Sequence, residues 1–342
     1  MSVTQMNVML TCAGRRHYLV QFFQEALGNQ GKVFAGDATL EAPALQAADE
    51  SFLLPPIKHS DYFDKLLDIC QQKHVRLIVP LNDLELPYLA RQRDRFLKIG
   101  TIPVVSSPEV IDICFDKFAT FQFLQKLGIS APKTYLSLDE AREAIAQGKI
   151  SFPLVVKPRW GSASIGIEYP EDDEELELAY RFVKKLLGRS FLAEVSSSDP
   201  ERCILIQERL TGQEHGLDII NNLEGSYITT FIKRKLTMRA GETDRAVTVE
   251  NAEIKQLGEK IGQNLGHIGN LDCDVMVGSK GLCVLELNPR FGGGYPFSQI
   301  AGANIPAALI AWANGEKANE SWLRVEGNIT SSKYDRLVTI QG

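Results

Sequence analysis

The sequence lacks the features that would place it in a membrane, a secretory pathway or a zinc-dependent family. No apolar run approaches the roughly 18 residues that a transmembrane helix needs. Residues 1–5 lack the basic segment of a secretion signal, and the apolar run at 8–13 has the length of a buried strand. The six cysteines form no C-x-x-C pair, and the five histidines show no zinc-ligand spacing. We therefore expect a cytoplasmic protein with free thiols and no membrane partner.

The charge balance gives no support for a nucleic-acid partner. The chain carries 37 Lys and Arg residues against 43 Asp and Glu residues, a formal net charge of −6. These charges are well spread, whereas nucleic-acid-binding domains usually present a basic face. A hydrophobic content of 44% excludes a wholly disordered chain, and 342 residues predict about two to three domains.

Short apolar segments alternate with amphipathic ones in the first part of the chain. Strands are predicted at 7–14, 32–37, 75–81 and 102–105, and helices at 18–27 and 62–72. Nearly all-apolar strands separated by helices are typical of a parallel sheet that is covered on both faces. The first strand is followed by Gly14-Arg15-Arg16-His17, which lacks the G-x-G-x-x-G pattern of a dinucleotide site. The sequence thus predicts an α/β N-terminal domain without such a site.

The remainder of the chain mixes helices with closely spaced strands. Helices are predicted at 107–127, 139–147, 251–265 and 306–314, and strands at 152–157, 203–207, 217–220, 226–233, 246–249, 272–277 and 282–288. Short connections between the later strands favour antiparallel pairing. An acidic run at 171–177 precedes basic residues up to Arg189, which suits the dipole of one solvated helix.

The segment from Val155 to Gly166 carries the first chemical signal. An apolar strand leads to Lys157, and a loop of glycines and small hydroxyl residues follows it. Glycines let the backbone approach a phosphate closely, so that amide groups can point at its oxygens. The Walker A pattern fails because Ile167 follows Gly166. Either a phosphate-binding loop or a surface loop with a salt-bridged lysine fits this segment.

The second signal is Glu286-Leu-Asn288-Pro-Arg290. Side chains alternate along a strand, so Glu286 and Asn288 share one face while Leu285 and Leu287 enter the core. Two oxygen ligands at this spacing suit Mg²⁺, and Arg290 could brace a transferring phosphoryl group. The alternative is a simple turn with an exposed acid at the strand edge.

The register of the predicted hairpin adds to this signal. If residues 279–281 form a three-residue loop with Gly281 in the left-handed conformation, Asp274 lies opposite Glu286 and Asp272 opposite Asn288. Facing acids repel each other, so such a pair needs a cation or a proton. A two-residue turn would instead place Asp274 on the other face of the hairpin.

A third segment runs from Gln207 to Glu214. An apolar strand ends there in acidic residues around Gly212. Such a strand end suits a hinge whose backbone pairs with an adenine ring, or a plain linker between domains.

Taken together, these motifs resemble the ATP-grasp superfamily, and the run from Asn288 to Pro296 looks most like its carbamoyl-phosphate-synthase-like members. The resemblance covers essentially the whole chain. It implies a mixed α/β and α+β fold: a Rossmann-like parallel-sheet domain at 1–110, then an ATP-grasp domain at 111–342. Within the latter it implies a mobile lid subdomain at about 134–205 and a C-terminal catalytic subdomain at about 206–325.

The resemblance also implies a role for each motif residue. Lys117 and Lys157 would hold the ATP phosphates under the loop that includes Gly161, Ser162 and Ser164. Gln207, Glu208 and Leu210 would line the adenine, and Glu214 would meet the ribose. Asp274, Glu286 and Asn288 would ligate Mg²⁺ or Mn²⁺, while Arg290, with Lys157, would stabilise the transferring phosphoryl group. Seven further residues lie where such families place substrate contacts: Arg15, Arg16, Asn82, Asp83, Glu85, Arg234 and Arg239. For each of them, a structural role or a position in solvent is the alternative interpretation.

The implied reaction is ATP-dependent ligation of a carboxylate to an amine through an acyl phosphate. Expected partners are ATP and small, amino-acid-like carboxylate and amine substrates, and a homodimer is left open. Three alternatives remain: a small-molecule kinase, a non-catalytic ATP-binding regulator, and a subunit of a larger synthetase. Full carbamoyl phosphate synthesis would need a second ATP-grasp module and an ammonia-supplying partner.

Overall fold

The computed structural model describes residues 6–161 and 166–340, which form three β-sheets flanked by helices. The first sheet contains β1 (Asn7–Thr11), β2 (Val33–Asp37), β3 (Glu50–Leu53), β4 (Val75–Pro80) and β5 (Ile102–Pro103). Its strands are parallel, in the order β3-β2-β1-β4-β5. Helix α1 (His17–Leu27) packs on one face, and α2 (Tyr62–Gln72) and α3 (Leu86–Lys98) pack on the other. The predicted parallel sheet with two covered faces is confirmed, although β3 and α3 were not predicted.

One acidic side chain is fully buried at the carboxyl edge of this sheet. Glu85 lies just before α3, and its two carboxyl oxygens accept hydrogen bonds from Tyr62 Oη at 2.7 Å and Thr11 Oγ1 at 2.8 Å. Burial raises the pKa of Glu85 from 4.5 to about 7, and these hydrogen bonds offset only part of the shift. The native protein therefore binds a proton at Glu85 more tightly than the unfolded chain does.

This buried carboxyl group makes stability depend on pH. Its stabilising contribution is complete below about pH 4.5 and is lost as the pH rises through about 7. We expect Glu85→Gln to remove this loss. Between pH 5 and pH 8 the wild-type free energy of unfolding should fall by up to about 3 kcal/mol relative to the variant. Urea unfolding at both pH values measures the difference, with the exposed-site variant Glu253→Gln as control, and parallel pH profiles would contradict the assignment.

The predicted helix at 107–127 is divided in two by an acidic residue. Helix α4 (Pro108–Phe115) ends before Asp116, and α5 (Lys117–Lys126) begins after it. The Asp116 backbone is extended, and its side chain accepts a hydrogen bond from the Phe118 amide, which caps α5. The same carboxylate binds Arg159 at 2.6 Å. The break places Lys117 at the first position of α5.

The second sheet is small and antiparallel. It contains β6 (Thr134–Tyr135), β7 (Leu154–Pro158) and β8 (Ile204–Glu208) in the order β6-β8-β7. The helices of this region are α6 (Leu138–Ala146), α7 (Asp173–Leu187) and α8 (Ala193–Ser196). Helix α7 has three acidic residues in its first turn and two lysines in its last, as predicted from the charge pattern. Lid motion of this region stays a prediction.

The third sheet has six antiparallel strands in the order β13-β12-β9-β10-β11-β14. They are β9 (Gln213–Asn221), β10 (Tyr227–Arg239), β11 (Glu242–Thr248), β12 (Gly269–Gly278), β13 (Gly281–Asn288) and β14 (Thr330–Ser332). Helix α9 (Ala252–Leu265) packs on one face, and α10 (Tyr295–Ile300) and α11 (Ile305–Ala313) follow β13. Of these elements, α10 and β14 were not predicted.

A continuous apolar core joins the first sheet to the segment that follows β13. Phe23 of α1 meets the Phe291 ring edge to face at 6.3 Å, and Phe291 meets Tyr295 at 4.7 Å. These contacts hold Arg290, the neighbour of Phe291, against the carboxyl edge of the first sheet. No helix in the described part of the chain is long and apolar enough to cross a membrane.

Candidate active site

A cavity of about 320 Å³ lies where the three sheets meet. Seven of the predicted site residues line it: Lys117, Lys157, Gly161, Asp274, Glu286, Asn288 and Arg290. Four others do not: Gln207, Glu208, Leu210 and Glu214. Ser162 and Ser164 lie outside the described residues. The fold therefore gathers the lysine segment and the Glu-Leu-Asn-Pro-Arg segment around one space.

The hairpin between β12 and β13 pairs the predicted residues through a different turn. Gly278 lies opposite Gly281, so the loop has two residues and the predicted three-residue loop is wrong. A β-bulge at Leu285 then adds one residue to β13, which restores the predicted pairing of Asp274 with Glu286. Gly281 has the predicted positive φ, +88°. The bulge also leaves Leu285 only half-buried, so the prediction that it enters the core with Leu287 holds for Leu287 alone.

Two lysines and one acid form the end of the cavity next to β7. Lys117 Nζ donates to the carbonyl oxygen of Gly161. Burial and, to a smaller extent, the neighbouring Lys117 lower the pKa of Lys157 to about 8, although Glu286 opposes the shift. Burial raises the pKa of Glu286, but both ammonium groups outweigh this, so its pKa is lowered overall. This end carries an excess of desolvated positive charge, which suits a polyphosphate.

Asp274 is held by a lysine that sequence reasoning did not identify. Lys235 Nζ contacts Asp274 Oδ1 at 2.7 Å and Glu214 Oε1 at 2.6 Å. The pKa of Asp274 is raised to about 7, mainly by burial and also by Asp272 and Glu286, although Lys235 opposes the shift. A raised pKa at one of the two facing carboxylates was expected from the hairpin register. Glu214 faces Lys235 instead of the cavity, and its ribose contact stays a prediction.

The oxygen-bearing side chains fit a magnesium ion that is shared with a phosphate ligand. Asn288 Nδ2 donates to Glu286 Oε1 at 3.2 Å, which leaves the Asn288 amide oxygen as a second ligand beside that carboxylate. No group of three His, Cys, Asp or Glu side chains within residues 6–161 and 166–340 is arranged to hold a metal by itself. Mg²⁺ is usually bound by one or two carboxylates and completed by substrate phosphates and water. The donor set therefore suits Mg²⁺ that arrives with a nucleotide.

Arg290 is clamped between two acids from different sheets. Its Nη2 contacts Asp83 Oδ2 at 2.8 Å and its Nη1 contacts Asp272 Oδ2 at 3.0 Å, with 8% of the side chain exposed. Burial alone would lower the pKa of Arg290, but Asp83 and Asp272 raise it well above its usual value. Its Nε has no hydrogen-bond partner among the described residues. The guanidinium group is thus fixed and charged on the wall of the cavity.

The predicted adenine residues lie apart from this cavity, at the end of β8. Gln207 Nε2 donates to Thr134 Oγ1 at 2.7 Å, and Glu208 contacts Lys280 at 2.8 Å. Leu210 lines a second cavity of about 60 Å³ together with Met276 and Cys283. Met276 pairs with Cys283 across the hairpin and follows Asp274 by two residues, so these side chains share one sheet face. The polar face of the hairpin therefore continues into this second cavity, whose lining also includes Arg209 and Thr211.

The structure adds two lysines to the cavity lining and separates the candidate substrate contacts into those that line the cavity and those that do not. Lys233 and Lys235 alternate along β10 and both line the cavity, although the predicted strand ended at residue 233. Among the seven candidate substrate contacts, three line the cavity: Arg16, Asn82 and Asp83. The other four do not: Arg15, Glu85, Arg234 and Arg239. Alternation of lysines along an extended β10 was the signal available in the sequence.

Two family models match successive parts of the chain, up to residue 294. Residues 8–105 match the model of the PylC-like N-terminal domain. Residues 114–294, more than half of the chain, match the model of the ATP-grasp domain. The second match contains the lysine segment, the segment from Gln207 to Glu214 and the Glu286-Leu-Asn288-Pro-Arg290 segment.

Curated relatives and solved structures agree with this fold. The carbamoyl phosphate synthase large chain of Methanosphaerula palustris is 26% identical over 261 residues, 75% of this chain and 23% of that protein. The chain thus spans about a quarter of that relative's length. The biotin carboxylase domain dimer of Hydrogenobacter thermophilus 2-oxoglutarate carboxylase, solved with MgADP, ADP and bicarbonate, superposes with a TM-score of 0.72 at 17% identity, covering 94% of this chain and 72% of that one. The L-amino acid ligase of Bacillus licheniformis gives 0.69 at 19% identity, covering 90% and 74%. The predicted fold class is confirmed.

Proposed function

The chain belongs to the ATP-grasp family, and from that premise we propose that it is an ATP- and Mg²⁺-dependent carboxylate–amine ligase. The observation that carries the proposal is one cavity lined by Lys117, Lys157, Glu286, Asn288 and Arg290. Phosphoryl transfer needs mainly positioning and neutralisation of charge, and these side chains supply both. Among solved chains of the same fold, the biotin carboxylase domain was solved with MgADP and bicarbonate, and another is an L-amino acid ligase.

ATP would lie along the sheet face of the β12–β13 hairpin. Its phosphates would pair with Lys117 and Lys157, and Mg²⁺ would bind Glu286, Asn288 and Asp274, where it would neutralise phosphate charge. The adenine would lie at the second cavity, against Leu210, Met276 and Cys283, with the backbone after β8 beside it. The faces of the adenine ring would contact these side chains, whereas the charged cavity suits the triphosphate.

The reaction would proceed in two displacements. A carboxylate oxygen attacks the γ-phosphorus, the bond to ADP breaks, and an acyl phosphate forms. The amine nitrogen then attacks the acyl carbon, inorganic phosphate leaves with the shared oxygen, and the nitrogen loses a proton. Arg290 lies where it can neutralise the phosphoryl oxygens in both steps.

The finer expectations on substrates and assembly belong to the same proposal. We propose carboxylate and amine substrates of amino-acid size, a cytoplasmic location and no role for nucleic acid. A homodimer is proposed by analogy with the dimeric biotin carboxylase domain, and light scattering on the purified chain tests it.

One screen tests the proposed reaction. Purified protein with Mg²⁺ and ATP is incubated with pairs of small carboxylates and amines, including all common amino acids, and ADP release is followed. We expect ADP release that requires both a carboxylate and an amine and that yields an amide. ADP release with a phosphorylated product and no amine requirement would indicate a kinase, and the absence of release with any pair would overturn the ligase.

Removal of the Lys157 ammonium group should weaken nucleotide binding. Lys157→Ala is expected to raise the dissociation constant of MgATP about 10- to 100-fold, since a charge-assisted contact contributes about 1.5–3 kcal/mol. The fold should persist because Lys157 forms no ion pair within the described residues. Its pKa of about 8 adds a signature: wild-type affinity should fall as the pH rises from 7 to 9, and the variant should lack this fall.

Calorimetry at several pH values measures both effects. The exposed Lys185 of α7 offers a matched control, and Lys185→Ala should bind MgATP as the wild type does. Unchanged affinity in Lys157→Ala, together with a normal melting temperature, would remove Lys157 from the phosphate site.

A further inference from the structure

The cavity extends beyond Arg290 to an end that the ATP and metal residues do not occupy. Arg16, from the turn after β1, and Asn82, from the turn after β4, line one side of this end. Gly241 and Glu242, at the tip of the β10–β11 hairpin, line the other. A second substrate that binds between the first sheet and this hairpin would therefore share the cavity with Arg290.

Most charged groups near this end already have partners of opposite charge. Arg290 is bound by Asp83 and Asp272, and Lys233 is bound by the buried Asp218. Arg16 differs, because it forms no ion pair within the described part of the chain. Its Nη1 donates to the carbonyl oxygen of Leu81, which anchors one edge of the guanidinium group. An anchored arginine without an acid is a preformed partner for a ligand carboxylate.

Glu242 supplies the opposite charge at the same end. A Cβ on Gly293, three residues after Arg290 in the chain, would lie only 3.2 Å from Glu242 Cδ, so the carboxylate closely approaches the glycine loop. Burial raises the pKa of Glu242, but Lys333, Arg16 and Arg15 outweigh this and lower it. Its contact is Lys333 Nζ at 3.0 Å, and 60% of the Glu242 side chain is exposed. Because the Glu242 carboxylate is largely exposed to solvent, a ligand ammonium group can replace Lys333 in this ion pair at little cost.

We propose that Arg16 and Glu242 form the subsite of an amino-acid substrate, with Arg16 binding its carboxylate and Glu242 its amino group. This inference rests on the proposed ligase function and names the amine that the ligase uses. Ammonia would need no arginine, and a phosphorylated amine would be repelled by Glu242. Gly293 and Arg290 line the same cavity, so an amine bound beside Gly293 would share that cavity with the acyl phosphate.

The inference is tested with matched pairs of amines. Each amino acid that supports turnover is compared with the amine that lacks its carboxylate, in the wild type, Arg16→Met and Arg15→Met. Arg15 is the exposed neighbour of Arg16 and does not line the cavity, so Arg15→Met is the control. We expect Arg16→Met to raise the KM for the amino acid about 10- to 100-fold, with the KM for ATP unchanged and no added loss for the decarboxylated amine.

A second variant and a binding measurement complete the test. Glu242→Gln should raise the KM for the amino acid and leave the ATP-binding constant unchanged. Calorimetric titration of the amino acids into protein with Mg²⁺ and a non-hydrolysable ATP analogue should show binding that Arg16→Met abolishes and Arg15→Met retains. If this pattern of binding is found but no amino acid supports turnover, the subsite is supported and the proposed ligase function is overturned. Equal effects of Arg16→Met and Arg15→Met, or wild-type use of decarboxylated amines as readily as amino acids, overturn the subsite.

Discussion

Replacement of Arg290 by lysine is expected to lower kcat about a thousandfold, the lower range measured for arginines that stabilise a transferring phosphoryl group. A lysine keeps one positive charge between Asp83 and Asp272, so the buried acids retain a partner and the fold should persist. It loses the planar fork that can span two acids and still face a phosphoryl oxygen. The affinity for MgATP should change by less than about tenfold, because Arg290 acts on charge that develops during transfer.

Single-turnover kinetics and calorimetry on Arg290→Lys separate these quantities. Arg324→Lys is the matched control, since Arg324 forms an exposed ion pair with Glu320 far from the cavity lining. Equal losses of kcat and ATP affinity would assign Arg290 to ground-state binding. Wild-type kcat in Arg290→Lys would remove it from the reaction altogether.

Glu286→Gln is the second substitution with a large expected effect, a loss of at least about 100-fold in kcat. Glu286 carries a lowered pKa because Lys117 and Lys157 outweigh its burial, so it is charged and available to a cation. The variant should still fold. It relieves repulsion from Asp274 but also removes a negative charge from the two lysines, and these effects oppose each other.

The metal dependence of ATP affinity gives the sharper readout. Mg²⁺ should tighten ATP binding to the wild type and should tighten it much less in Glu286→Gln. Binding of metal-free ATP should be equal or tighter in the variant, because a negative charge near the phosphates is gone. The exposed-site variant Glu253→Gln serves as control. The same gain from Mg²⁺ in both proteins would exclude Glu286 as a ligand.

Local sequence patterns predicted most helices and strands of this fold. The site, however, depends on turn length and on a β-bulge, which such patterns predict poorly. The pairing of Asp274 with Glu286 was predicted correctly, but from a three-residue loop that the hairpin does not have. A two-residue loop alone would have placed Asp274 on the other face, and the bulge at Leu285 compensates for it. Bulges leave no periodic signal, because one inserted residue changes the alternation at a single point.

The site features that could not be predicted from the sequence depend on contacts between residues far apart in the chain. The Asp83–Arg290 pair joins residues 207 positions apart, and nothing in either segment alone indicates the other. The same holds for Arg16 and Glu242, which line one cavity because α1 packs against the segment after β13. Helix α3 is a different case: Leu86, Leu89, Ala90 and Phe96 follow a helical spacing that was visible in the sequence.

The central claim is that a carboxylate becomes an acyl phosphate at this cavity. It is tested most directly with a carboxylate substrate labelled with oxygen-18 in its carboxyl group, under conditions where the amide forms. The account predicts that one labelled oxygen appears in inorganic phosphate for every ADP released, because that oxygen bridges carbon and phosphorus in the intermediate. Unlabelled phosphate in the presence of amide product would contradict it.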